Sequence, residues 1–356
     1  MLSIKVTRKV TALITFYIFL TLHSLNTSAS EADPAVEKIN QAIQDKLDFY
    51  NQTFPKIQFV HLKNGEWRKS LEALQLFIGY QATNLDYEHP ENLREDLFVV
   101  TLGKIQMMLV NKITSSYLFK VGEMAAASKE YACVLTLDPA TVLNNLVATQ
   151  YLIELPEDTL KSLSPSAYID NDRHLDFIID HEIFHCIDTF QHGGIPMSDK
   201  AYSTRYDSFK RESQADMFAV AMHVHRNKTL TPCANNMMMM RGMTLINGEM
   251  QHNSTDAMQL IIDSDQRELI NNQPKELFEI VKQLYKTIAP NYEKYLTYRV
   301  AAVEAIKRLG KQVNEMEQPF APADRTPDEK MVQHLVKQTR VYYKQYTGKE
   351  YPLPTR

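Results

Sequence analysis

Two pairs of residues four apart set the first constraint on this chain. His181 and His185 bracket the run His-Glu-Ile-Phe-His, and Glu212 and Asp216 bracket Glu-Ser-Gln-Ala-Asp. Positions i and i+4 lie on one face of an α-helix, so each pair shares a face if its segment is helical. The flanking residues agree. Ile179, Ile183, Ile187 and Phe190 form an apolar stripe on another face of the first segment. That helix can bury one side and present the two histidines from a different one. Asp170, Asn171 and Asp172 supply N-cap chemistry and Gly193-Gly194 a stop, which predicts a helix from about 170 to 192. The second pair falls on a helix expected from about 206 to 226.

Two imidazoles on one helical face can reach one metal ion. Glu182 follows His181 and is turned about 100° around the axis, where its carboxylate can meet a bound water as general base instead of the metal. Glu212 would complete a His2Glu set and leave a fourth position for water. Asp216 would accept a hydrogen bond from the other ring nitrogen of a ligand histidine and fix its tautomer. The plain alternative is a histidine pair with no metal. A chain with 11 histidines carries such a five-residue motif by chance at a frequency of roughly a few per cent.

HExxH followed by a helix bearing ExxAD resembles the gluzincin superfamily of zinc metallopeptidases. The Glu-x-x-Ala-Asp form is similar to that of membrane-associated and periplasmic housekeeping proteases. The match covers residues 170–225. It implies one Zn2+ per chain on His181, His185 and Glu212, with Glu182 as base and Asp216 behind a ligand. It also implies a zincin-like core acting on a peptide or protein substrate, as endopeptidase or aminopeptidase. The membrane spans of some such proteases are absent here, so their substrates do not carry over.

Other residues offer rival ligands. A metzincin needs glycine at 188 and histidine at 191; this chain has Asp188 and Gln191, with His192 one residue late. His174 and His223 lie on the same helical faces and read as structural. The group that steadies an oxyanion is typically a His, Tyr or Arg. His252, just before Asn253-Ser254-Thr255-Asp256, is the first candidate, with Tyr206 and Arg211 behind it. Met237 to Met240 and the stripe Tyr285, Tyr292, Tyr295 and Tyr298 read as helix packing.

The N-terminus suggests export. Lys5, Arg8 and Lys9 precede an apolar run from Val10 to Leu22 and the small, polar stretch 26–30. That order is that of a secretory signal peptide cut near Ala29, and the run is short for a bilayer span. Cleavage would take the net charge from −4 to −7 and leave an acidic periplasmic or secreted protein with no stable membrane span. With no Lys/Arg block, nucleic acid is not an expected partner. Oligomeric state is open. Three cysteines, Cys133, Cys186 and Cys233, allow one disulfide; Cys186–Cys233 is favoured because both fall in the catalytic segment.

The rest of the chain predicts helices over 34–51, 67–84, 92–118, 140–153, 233–248, 274–288, 291–310 and 327–346, and a strand over 131–137. The expected class is mainly α (α+β) with a small sheet. The regions are a signal peptide (1–29), a mostly helical N-terminal region (30–165), a zincin-like catalytic core (166–265) and a C-terminal helical region (266–356). A non-catalytic zincin-fold protein that binds or assembles partners in the cell envelope is the alternative function. The complete set of Glu182, both histidines and Glu212 speaks against it.

Overall fold

A computed structural model describes residues 34–62, 105, 114–121, 128–139, 171–192, 205–247, 250, 252–316, 327–348 and 350. The expected signal peptide and the helices expected over 67–84 and 140–153 lie outside them. Among the described residues the architecture is mainly helical with one small sheet, as expected. The chain divides into two compact units, one formed by 1–140 and 186–196, the other by 141–185 and 197–356.

The first unit is built on an amphipathic helix and a three-stranded sheet. Helix α1 (Pro34–Thr53) buries Ile39, Ile43, Leu47 and Tyr50, a stripe at helical spacing that predicts one apolar face. It packs on β1 (Ile57–Leu62). The turn between them is closed by the Asn51 amide, which accepts from Phe59 N–H (2.8 Å) and donates to Phe59 C=O (3.2 Å). The Lys129 ammonium donates to the carbonyls of Asn51, Phe54 and Ile57 at 2.6, 3.3 and 3.0 Å. It thus ties the last turn of the helix to the start of β1. Sheet order is β1-β3-β2, with β3 (Tyr131–Thr136) parallel to β1 and antiparallel to β2 (Ser115–Lys120). The central strand is buried along almost its whole length, which fits its near-continuous apolar run.

Two expectations are corrected here. Residues 115–118 were expected at the end of a helix, yet they belong to β2. Its hydrogen-bond partner is β3, and such non-local pairing outweighs local propensity. The disulfide joins Cys133 of β3 to Cys186, with Cα atoms 5.9 Å apart, and Cys233 is buried and free. The pairing of Cys186 with Cys233 is therefore wrong. The partner is set by the packing around β3, where Phe190 also meets Tyr131 edge-on at 5.1 Å, and not by nearness in sequence.

The second unit is a helical assembly around α3 (Arg205–Asn227), in which residues 213 to 224 are all buried. Helix α2 (Asn171–Gln191) carries His181 and His185. Asp180, fully buried on α2, is held by Arg226 of α3, with Nη1 at 3.0 Å. Phe184 of α2, Phe218 of α3 and Phe278 of α7 (Pro274–Met316) form an aromatic cluster with centroids 5.0–6.3 Å apart. Helix α4 (Pro232–Met243) is capped by Thr231 and runs into a 3-10 turn. Met237, Met238, Met240 and Met243 are buried in it, the packing role expected for that run. Short helices α5 (Thr255–Ile262) and α6 (Gln266–Asn271) follow, and α8 (Pro327–Thr347) closes the chain. Among the described residues no helix is long and apolar enough to cross a membrane.

The two helices expected over 274–288 and 291–310 are one continuous helix, α7. A proline inside a helix removes a hydrogen bond and crowds the preceding turn. Here Pro290 is tolerated because the turns on both sides are anchored, by Leu277, Phe278, Val281 and Tyr285 before it and Arg299, Ala302 and Val303 after it.

Gly242 of α4 lies against the ring of Tyr342 on α8, where a β-carbon would collide with Cδ2 and Cε2. Either the Tyr342 side chain must turn aside, at the cost of its packing, or the two helices must move apart. Gly242→Ala is expected to lower stability by about 1–3 kcal/mol, measured by chemical denaturation. The loss should vanish in a Tyr342→Ala background if the clash is its cause.

Candidate metal centre

Helical periodicity aims three side chains at one point. His181 and His185 project from one face of α2, and Glu212 reaches them from α3. The Nε2 atoms of the two histidines are 3.2 Å apart, and Glu212 Oε2 lies 3.0 Å from His181 Nε2 and 3.4 Å from His185 Nε2. These three form a metal-competent group among the described residues. The spacing suits a small tetrahedral ion. Bonds of about 2.0–2.1 Å at tetrahedral angles put ligand atoms roughly 3.3–3.4 Å apart, close to the triangle seen here.

Asp216, one turn beyond Glu212, is fully buried. Its Oδ1 accepts from His181 Nδ1 at 2.8 Å, which leaves His181 Nε2 pointing at the shared point. This carboxylate has two further partners that no local sequence pattern marks. Arg241 of α4 grips both of its oxygens, Nη2 at 2.9 Å from Oδ1 and Nε at 2.9 Å from Oδ2. The Ser254 hydroxyl donates to Oδ2 at 2.5 Å. Arg241 was hidden in a stretch whose methionines read as core, and Ser254 in one that read only as a helix start. Ser254 gives its hydroxyl to Asp216 and makes no side-chain cap.

His252, proposed from sequence as the oxyanion group, joins the cluster. Its Nε2 is 3.2 Å from Glu212 Oε2, and its ring centroid is 6.4 Å from that of His181. Its side chain is 24% exposed against 7% for His181, so it sits toward the open side of the three ligands. Glu182 is buried on α2 beside His181 and is not one of the three converging groups. Arg211 is half-buried on α3; the side chains of His174 and Tyr206 lie outside the described residues.

The rival ligands have other partners. His192 Nδ1 contacts the Asp188 backbone carbonyl at 2.7 Å, and Asp188 is itself buried. His223 Nε2 contacts the Thr231 hydroxyl at 2.8 Å, at the start of α4. Neither belongs to the metal-competent group.

The electrostatics of the metal-free cluster follow from its charges. Burial disfavours the His181 imidazolium, but the Asp216 carboxylate and Glu212 outweigh it and raise His181 to about 9. Burial would raise Glu212, yet His185 and His252 hold it well below the usual carboxylate range. Burial also opposes ionisation of Asp216, but Arg241 and His181 bring it down to about 2. A metal ion held by His181 would therefore have to displace a proton from it.

No family model, curated protein or solved structure matches this chain. The chemistry of the site rests on its own geometry.

The sign of the pH dependence follows from His181. A raised folded-state pKa contributes stability below the unfolded value of about 6.5, which is lost as pH rises through about 9. Over the same window the competing proton leaves, so metal affinity should climb by about tenfold per pH unit and level off above it. Thermal melts with and without zinc check this. The metal-free melting point should fall from pH 6.5 to 9 while the increment given by zinc grows.

Proposed function

We propose that this chain is an exported zinc metallopeptidase of the gluzincin type, with His181, His185 and Glu212 as metal ligands. The observation that carries the reading is the convergence of two imidazole nitrogens and one carboxylate oxygen within 3.0–3.4 Å, backed by Asp216 on the far nitrogen of one imidazole. Two neutral imidazoles and a carboxylate suit zinc, and three protein ligands with an open fourth position are the pattern of catalytic rather than structural sites.

When bound, such an ion lowers the pKa of water and polarises the scissile carbonyl. The chain supplies the rest. Glu182 follows a ligand on the same helix but is turned about 100° from the ligand face, the position from which a carboxylate would take the proton of the attacking water and deliver it to the departing amine. His252, on the more open side of the cluster, is the group that would donate to the oxyanion. Asp216 holds His181 in one tautomer throughout. The Cys133–Cys186 bond supports export, because disulfides persist mainly in oxidising compartments. Together with the N-terminal segment it favours cleavage near Ala29 and work in the periplasm or outside the cell.

Glu182→Gln tests the mechanism. The amide keeps the shape of the side chain but cannot accept a proton at neutral pH. Hydrolysis of a denatured protein substrate should fall by about 10²–10⁴, with zinc stoichiometry and melting temperature unchanged. Equal inactivity of wild type and variant across a broad substrate panel would favour a zinc-binding envelope protein that does not cleave.

A further inference from the structure

Arg299 is fully buried in the middle of α7, a helix that contributes no group to the metal centre. A guanidinium removed from water carries a desolvation cost of several kcal/mol, so what it holds is informative. Its Nε donates to the Asn253 side-chain oxygen at 2.9 Å and to the Asn253 backbone carbonyl at 3.1 Å. Nη2 reaches the Asp256 carboxylate at 3.3 Å. The plane of charge also rests on the ring of Phe209, 4.6 Å from its centroid, a favourable cation–π arrangement.

These contacts fall on both sides of the site. Phe209 is on α3, three residues before Glu212, and so on nearly the same helical face. Asn253 lies between His252 and Ser254 in the segment that enters α5. The Asn253 amide in turn donates to the backbone carbonyl of Arg241 at 3.0 Å. One guanidinium therefore binds the helix that carries Glu212 and the segment that carries His252. Those two meet where His252 Nε2 approaches Glu212 Oε2 at 3.2 Å. The same segment sets Ser254 on Asp216.

We propose that Arg299 is the positioning residue of this site, clamping the 252–254 segment to the Glu212 helix so that His252 stays on the Glu212 carboxylate. A lysine could keep the charge over the Phe209 ring but not the directed Nε–H donor. The clamp makes two requirements. His252 should be held out of solvent by Arg299 even without metal, and the orientation that His252 gives Glu212 should depend on it.

The first is tested on the metal-free full chain by the rate of carbethoxylation at His252, followed by peptide mass mapping with His192 as internal reference. Arg299→Lys should raise the His252 rate several-fold and leave His192 unchanged. Phe209→Leu, which removes only the ring face, should act in the same direction and covers the case in which Arg299→Lys fails to fold. Val303→Ala, buried one turn further along α7 in a separate cluster, should lower the melting temperature without exposing His252. An unchanged His252 rate in both Arg299→Lys and Phe209→Leu would overturn the proposal, as would an equal rise in Val303→Ala. The second requirement rests on the metal reading and is measured by chelator competition for zinc. Arg299→Lys and His252→Ala should each lose about tenfold in affinity, and the double variant no more than either alone. Losses that multiply would mean that Arg299 does not act through His252. A wild type that binds no zinc would defeat the metal reading, while the carbethoxylation rates would still decide the clamp.

Discussion

A single buried carboxylate, Asp216, is the interaction on which the rest of the second unit's site depends. It has no exposure to water, so its charge is tolerable only with full pairing. Arg241 supplies a counter-charge on both oxygens, Ser254 a hydroxyl, and His181 a ring N–H. These three partners come from α2, α4 and the segment before α5, and Asp216 itself from α3. Breaking the group would strand a buried arginine as well as release His181, so fold and site are secured by the same bonds. Because Arg241 takes a share of the negative charge, Asp216 orients the imidazole without being left as an unbalanced anion behind it.

Much of this was legible because helical periodicity converts sequence spacing directly into direction. The pairs His181/His185 and Glu212/Asp216 needed only a helix to share a face, and both segments are helical. The apolar stripe of α1 and the apolar run of β3 were readable for the same reason. The stripe has the period of a helix and the run the length of a buried strand. His252 stands out in the sequence because few residue types can donate to an oxyanion, and the structure puts its Nε2 3.2 Å from Glu212 Oε2.

What could not be read depends on contacts between distant segments. Arg241 follows a methionine run whose spacing says only that the helix is buried. Ser254 looked like part of a capping sequence, and nothing local says that its hydroxyl turns to Asp216. Strands β1 and β2 are six residues each and owe their form to pairing with β3. The Cys133–Cys186 bond spans 53 residues, so its partner is chosen by packing. Pro290, between the two helices expected over 274–288 and 291–310, shows the opposite case. It is a strong local breaker, overruled by apolar anchoring of α7 on both sides. Arg299 was invisible as a functional group, since a lone arginine in a long helix gives no sign that it will be buried.

Which atoms hold the metal decides the chemistry of this centre. X-ray absorption at the zinc edge of the loaded full-length protein addresses that directly. It should show two imidazoles with the remaining scatterers oxygen, all at about 2.0–2.1 Å, and Glu212→Ala should weaken binding and alter the oxygen shell. A sulfur scatterer at about 2.3 Å, which Cys233 would have to supply, or a third imidazole from His252 or His192, would contradict the centre described here.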